Sequence, residues 1–402
     1  MRILHTSDWH LGRRLLGKNR HAEFSAWLDW LLVCIQEQHV DALIVAGDIF
    51  DTTTPSASTQ ALYYDFLYRL QNTCCRHCII VGGNHDSATL LNAPRLLLKH
   101  MNIHVVGQAT APEEEILVLK NADQNVELVV CAVPYLHERD IRQVEAFENI
   151  ADKDQNIVKG IQTHYQTVAE QAQLIAQQHQ VPLMATGHLF MVGGKTTDDD
   201  GVRELYVGNE GAVRADIFPA CFDYVALGHI HVPQKINGLD HIRYCGSPIA
   251  MGFGEAAQQK EVLIVEFVGA TLSTVTPIAI PKFQCLARLQ GDMTELLEGI
   301  EQLKQDNCSV WLEARYTGQA VASNLKHSLQ QALQGSQVEL LKLYNQRLIH
   351  QVFNVEVEQP ALEDLRHEEV FERCLDSHEI QGEARQTLKQ TYQEAIHHLT
   401  LE

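Results

Sequence analysis

The sequence predicts an α/β (α+β) protein: a two-layered β-sheet sandwich flanked by helices, followed by a small α/β capping domain and C-terminal helices. Three observations carry this. In the first hundred residues, short apolar runs alternate with segments of helical spacing. From about residue 116 the apolar runs come close together, with one long helical stretch among them, which reads as a second sheet layered on the first. Beyond residue 283 the strand–helix rhythm restarts on a smaller scale.

The elements follow in order. "RILHTS" is a short apolar strand, and "HAEFSAWLDWLLVCIQEQ" has helical spacing at Phe24, Trp27, Leu28, Leu31 and Leu32. "VDALIVAGD" is a buried strand; "SASTQALYYDFLYRLQN" is helical through Leu62, Phe66, Leu67 and Leu70; "HCIIVGGN" is a strand leading to one helix through "LNAPRLLLKHM". "EILVLK" and "VELVVCAVPY" are strands, and a long helix runs from about Asp154 to Gln180. "PLMATGH", "FDYVALGH", "HIRYCGS" and "EVLIVEFV" complete the large domain, with "TLSTVTPIAI" ending it near Pro281. A β-α-β-α-β order from Phe283 makes the small domain. Two amphipathic helices close the chain; Leu388, Tyr392, Ala395 and Leu399 form one stripe that must fold back on the body or dock on a partner. The expected domains are therefore 1–281, 282–345 and 346–402.

Composition narrows the function classes. The 402 residues, 45% of them apolar, are enough for two or three domains with a substantial core. No run of eighteen apolar residues exists, and "MRILHTSD" lacks the features of a signal peptide, so a cytoplasmic protein without a membrane segment is expected. A formal charge of -20 argues against binding nucleic acid through a broadly positive surface, but leaves room for a local basic patch. The ten cysteines are mostly scattered singly. Cys74, Cys75 and Cys78 cluster but lack the second CxxC of a zinc site, so they read as partly buried thiols.

The chemistry-bearing residues stand where the expected strands end. They are Asp8 and His10 in "SDWHLG", Asp48 and Asp51 in "AGDIFD", Asn84, His85 and Asp86 in "GGNHD", His188 in "TGH", and His229 and His231 in "LGHIH". Sites in α/β sheets gather beyond the carboxyl ends of strands, so five such ends point at one pocket. Two aspartates, one asparagine and four histidines, with no thiolate, suit borderline divalent ions such as manganese, iron or zinc. Seven ligands are too many for one ion and suit two, with Asp48 as the natural bridge. Gly47, Gly83, Gly187 and Gly228 would let the backbone turn tightly beneath them. Isolated histidines such as His5, His39, His104 and His241 read as surface or core residues.

The ordered set DxH, GDxxD, GNHD, GH and GHxH resembles that of the calcineurin-like metallophosphoesterases. The resemblance implies that Asp8, His10, Asp48 and His231 hold one ion, and Asp48, Asn84, His188 and His229 the other. It further implies that His85 faces the phosphate and helps the leaving oxygen depart, with no covalent intermediate. Asp51 would then orient and charge His85. Two close ions would activate water and clamp the phosphate oxygens.

Which phosphoester is cut must come from elsewhere. "RRLLGKNR" places Arg13, Arg14, Lys18 and Arg20 in a local basic loop beside the opening motif, where it could grip a phosphate backbone. Together with "MRILHTSDWHLG", "DALIVAGDIFDT", "GNHDSATLLN", "YVALGHIH", "RYCGSPI" and the tail "EEVFERCL", the chain resembles the bacterial SbcD family of nuclease subunits. This implies a manganese-preferring DNA exonuclease and endonuclease that acts on double-strand ends and hairpins as a homodimer, within a heterotetramer with the coiled-coil ATPase SbcC. The capping domain would guide DNA, and Leu362, Leu365, Val370 and Phe371 would anchor the tail on SbcC. The sequence has no G-x-x-x-x-G-K-[ST], so ATP dependence would come from the partner. The acidic run Asp198 to Asp200 would repel DNA if it faced the site. A stand-alone metallophosphatase or nucleotidase acting on small esters is the alternative. Helices near 56–72 and 87–101 are the expected dimer surface.

Overall fold

The structure is a computed structural model. It describes residues 1–141, 150–197, 213–305, 309–318 and 325–345, with Phe371, Leu375, Arg385, Leu388, Lys389 and Tyr392 beyond them.

Two six-stranded mixed sheets form the large body. The first has the order Thr271–Ala279, Glu261–Val268, Arg2–Thr6, Ala42–Ala46, His77–Val81, Ile103–Val106. Its last four strands run parallel, and the first two are antiparallel. The second has the order Gln234–Lys235, Ile242–Tyr244, Tyr224–Gly228, Leu183–His188, Val126–Cys131, Ile116–Lys120, with a parallel centre and antiparallel edges.

The period-2 alternation of strand side chains explains why the sheets stack. In Ala42–Ala46, the inward Ala42 and Ile44 join Ile3, Ile79 and Val81 against Val130, Met184, Tyr224 and Ala226 of the second sheet. The outward Leu43 and Val45 pack instead with Phe24, Trp27 and Leu31 of the helix His21–Glu37 and with Phe66 of the helix Ala57–Leu70. The outer face of the second sheet carries Val129, Ala185, Val225 and Leu227, covered by Ile161, Tyr165, Val168 and Ala172 of the helix Ile150–His179. Strands buried on both faces read as continuous apolar runs, as these do.

His5, buried in the first sheet, reaches across the seam to the Tyr224 hydroxyl (3.1 Å) and the Leu227 carbonyl oxygen (3.2 Å). Burial pushes its pKa down to about 3, so it serves as a neutral core residue.

One expected helix is two. The segment around "LNAPRLLLKHM" forms Ala88–Asn92 and Arg95–Lys99, with Pro94 at the N-cap of the second. Proline has no N–H to give the helix ladder and starts a helix better than it continues one.

The region after Pro281 has the expected order: strand Cys285–Gly291, helix Met293–Gln305, strand Val310–Tyr316, helix Leu325–Ala332, strand Val338–Asn345. Its sheet places Val310–Tyr316 in the centre. The chain divides into two compact units. One comprises Met1–Arg288, Asp306–Glu313 and Gly335–Lys342; the other comprises Leu289–Gln305, Ala314–Gln334 and Leu343–Glu402. Among the described residues, no helix is long and apolar enough to cross a membrane. Cys75 and Cys78 are buried free thiols whose pKa values burial raises, which suits a structural role.

Candidate metal centre

Every motif residue lies just beyond, or at, a strand's carboxyl end. Asp8 and His10 follow Arg2–Thr6, Asp48 follows Ala42–Ala46, Asn84 and His85 follow His77–Val81, His188 ends Leu183–His188, and His229 and His231 follow Tyr224–Gly228. Two clusters of ligand atoms result, each within 4.8 Å internally and each fully buried: Asp8, His10 and His231, and Asp48, His188 and His229. Each cluster draws ligands from both sheets.

The clusters meet at Asp48. Its Oδ2 is 3.5 Å from His10 Nε2 and 3.3 Å from His188 Nε2. Asn84 Oδ1 lies 3.1 Å from both His188 Nε2 and His229 Nδ1, which adds it to the second cluster. His10 Nε2 and His231 Nε2 point at each other, 3.1 Å apart. Nitrogen and oxygen donors converging at these distances, without thiolates, fit two borderline divalent cations. A third grouping, His10, Asp51 and His85, adjoins the first.

The ligand backbones are conformationally demanding. Asp8, His10, Asp48 and His229 all have positive φ, at 52°, 45°, 52° and 99°. Backbone hydrogen bonds from Asp8 to Gly47 and from His10 to Asp48 hold the first two loops together. Asp8 Oδ1 also accepts from the His229 amide at 2.8 Å, tying one sheet to the other. Of the four expected turn glycines, only Gly47 has positive φ. Gly83 and Gly228 are needed for space instead. A Cβ on Gly83 would stand 2.1 Å from Asp48 Oδ1, and one on Gly228 would stand 1.9 Å from the Ala46 carbonyl oxygen.

The electrostatics follow from burial and proximity. Burial alone would neutralise Asp48, but the His188 and His10 imidazoles outweigh it and hold its carboxyl well below the usual range. Burial likewise opposes charge on His188, yet the Asp48 carboxylate lifts its pKa to about 9. Burial keeps His10 below its ordinary value.

Two sequence expectations need correction. The Asp51 carboxylate does not reach for His85: it lies 3.4 Å from His10 Nδ1 and 3.4 Å from Arg13 Nη1. The Asp51 backbone carbonyl is what meets His85 Nδ1, at 2.9 Å. Arg20 is no DNA contact, because it is 2% exposed and doubly bonded to Glu23 at 2.7 and 3.0 Å. A basic count cannot see that the cation and its carboxylate are one helical turn apart and pair inward. Of the other basic residues, Arg13 sits beside Asp51, Arg14 is exposed with its guanidinium on the Gly17 carbonyl oxygen, and Lys18 pairs with Glu339 at 2.5 Å. Leu362, Leu365, Val370 and Asp198 to Asp200 lie outside the described residues. Phe371 stacks on Tyr392 with ring centroids 4.0 Å apart.

Sequence reasoning assigned no role to three buried residues of the site. Asp86, the last residue of "GNHD", accepts from the amides of Ile49, Phe50 and Gly83 at 3.1, 2.9 and 2.9 Å, and so stitches two ligand loops together. Burial and the nearby Asp48 charge raise its pKa to about 7. Glu255 and Lys260, beyond the last motif, form a buried ion pair behind His231.

The calcineurin-like phosphoesterase family model matches residues 1–233. The SbcD_C model, described as a Type 5 capsule protein repressor C-terminal domain, matches residues 282–379. The chain is 37% identical over 402 residues to the SbcD subunit of the SbcCD nuclease of Escherichia coli strain K12, covering 99% of this chain and 98% of that one. The chain belongs to the SbcD family of calcineurin-like phosphoesterases. Its likeness to the family extends to the Bacillus subtilis SbcD, at 31% identity over 83% of this chain and 84% of that one. For the Rhodobacter capsulatus SbcD, identity is 30% over 75% and 76%. The family match and the two ligand clusters together make this SbcD-family chain a metal-dependent phosphoesterase.

Proposed function

We propose that the chain is a DNA exonuclease and endonuclease subunit that cleaves double-strand ends and hairpins together with an SbcC-type ATPase. One observation carries the reading: the full-length likeness to relatives named as nuclease subunits, in a chain where every expected ligand position is filled.

Asp8, His10, Asp48 and His231 would hold one ion, and Asp48, Asn84, His188 and His229 the other, with manganese the metal we favour. Such a pair supplies an activated water and a clamp on the phosphate oxygens. His85 then sits at the rim of the site with Nδ1 held by the Asp51 carbonyl oxygen, leaving Nε2 to face the phosphate and give a proton to the departing oxygen. Arg13 and Arg14, with Lys18, are the phosphate-backbone contacts of the loop beside the site. Domain 282–345 guides DNA, and the tail 346–402 docks on SbcC, with Leu362, Leu365, Val370 and Phe371 as anchors. The homodimer forms through the helices within 56–72 and 87–101, where Tyr68 and Leu96 are 68% and 73% exposed. The assembly works in the cytoplasm.

The test compares cleavage of a DNA hairpin with hydrolysis of a small phosphate ester, using the full chain with Mn2+, with and without SbcC and ATP. Hairpin cutting stimulated by SbcC and ATP, and lost in Asp48→Ala, is expected. Rapid ester hydrolysis indifferent to SbcC, with DNA left intact, would replace this reading with a stand-alone phosphatase or nucleotidase.

A further inference from the structure

The segment "CGSPIAMGFGEAAQQK" lies beyond the last metal motif, yet it wraps behind a metal ligand. Within it, Glu255 is fully buried, and its Oε1 stands 3.7 Å from His231 Nδ1. That oxygen makes no hydrogen bond in the structure, although it is shut off from water. A buried carboxylate oxygen without a donor is costly, so such a group calls for an explanation. The other oxygen is fully engaged: Oε2 accepts from the Met251 amide at 2.9 Å and pairs with Lys260 Nζ at 2.5 Å.

Lys260 grips the same place from the other side. Its ammonium donates to the His231 carbonyl oxygen at 3.0 Å, to Ser247 Oγ at 3.0 Å and to Gln258 Oε1 at 3.2 Å. One cation thus ties the backbone of His231 to the carboxylate that faces its ring. Two neighbouring imidazoles follow the same plan with simpler acceptors, His188 Nδ1 meeting the Ala46 carbonyl oxygen at 2.9 Å and His85 Nδ1 that of Asp51, while His10 Nδ1 lies 3.4 Å from the Asp51 carboxylate. In His231 the acceptor within reach of Nδ1 is charged. A carboxylate there places the ring proton on Nδ1, leaves Nε2 as the donor atom, and makes that nitrogen more basic.

We propose that Glu255 is a positioning residue for the metal centre. Its Oε1 accepts the Nδ1 proton of His231 and so turns Nε2 toward the ion shared with Asp8 and His10, while Lys260 fixes the carboxylate. This inference rests on the two-metal reading above.

The test is Mn2+ titration of the metal-free full chain by calorimetry, alongside its thermal melt. Wild type is expected to take up two equivalents. Glu255→Gln keeps an acceptor but loses the charge, so one equivalent should weaken about 10-fold while the other holds. The double variant Glu255→Leu/Lys260→Met removes the ion pair as a unit, a change buried pairs often tolerate. It should melt within a few degrees of wild type and weaken the same equivalent by up to about 100-fold. Wild-type affinity for both equivalents in Glu255→Gln, or in the folded double variant, overturns the proposal. Equal weakening of both equivalents with a lowered melting point also overturns it, because that is a structural effect. If the double variant does not fold, Glu255→Gln alone decides. Failure of wild type to bind Mn2+ would instead overturn the two-metal reading.

Discussion

His85 and Asp51 meet through the Asp51 backbone: its carbonyl oxygen lies 2.9 Å from His85 Nδ1, while the Asp51 carboxylate turns to His10 and Arg13. The orientation of His85 therefore does not depend on which side chain residue 51 carries. Asp51→Asn should cost less than about 10-fold in cleavage rate. His85→Ala should cost about 100-fold or more, the usual worth of a positioned proton donor. In Mn2+ titrations, His85→Ala should keep both equivalents and Asp48→Ala should lose them. Equal metal loss in His85→Ala and Asp48→Ala would remove His85 from the role given to it.

The basic loop separates into structural and exposed parts. Arg20→Ala leaves Glu23 charged and buried, so the chain should lose about 3–5 kcal/mol of stability, read from a urea melt. Arg14→Ala should leave the melt unchanged but weaken DNA binding, with the slope of log affinity on log salt shallower by about 1. Unchanged DNA affinity in Arg14→Ala would move the DNA path away from this loop.

Gly228 lets the two sheets approach at the site. A methyl group there would press on the Ala46 carbonyl oxygen, a backbone atom that cannot swing aside. Gly228→Ala should lower stability by about 1–3 kcal/mol and weaken Mn2+ uptake, since His229 adjoins it. A variant with wild-type melting and metal titration would show that the sheets can part without consequence.

Acid should loosen the metal-free protein through His5. The unfolded chain protonates this histidine near pH 6.5, whereas the folded chain resists until about pH 3. Between those values the unfolded state binds more protons, so stability is complete above pH 6.5 and falls as the pH is lowered, by up to about 1.4 kcal/mol per pH unit. His5→Phe should be less stable at pH 7, because the Tyr224 hydroxyl and the Leu227 carbonyl lose a partner, and it should show a shallower decline toward pH 4. An unchanged slope would assign the acid sensitivity to other groups.

The residues that converge in the candidate metal centre were legible in the sequence because each follows an apolar run, and strands buried on both faces leave little doubt where they end. The two-layer fold was legible for the same reason. What escaped depends on groups that meet only in space. Arg20 reads as a surface cation until Glu23 is seen to turn inward with it. Asp51 reads as the partner of His85 until the backbone is placed. Glu255 and Lys260 sit outside every motif, and only the path of the chain behind His231 gives them a purpose. Pro94, by contrast, carries a readable signal in its missing N–H, and it divides in two the segment whose apolar spacing reads as one helix.

Each candidate ligand cluster takes side chains from both sheets, so bound ions would make the centre a clasp between them. Across that seam the apolar layer is supplemented by polar ties, among them those of His5, of Arg76 to Glu127, of His188 to the Ala46 carbonyl oxygen and of Asp8 to the His229 amide. Ions seated there would rivet one layer to the other, and binding that favours the folded chain adds about 2.7 kcal/mol at a hundred times the dissociation constant. A chelator would therefore do more than silence the enzyme: it would unfasten the sandwich at the end where the strands deliver their ligands, making scarcity of metal a hazard to the protein's lifetime.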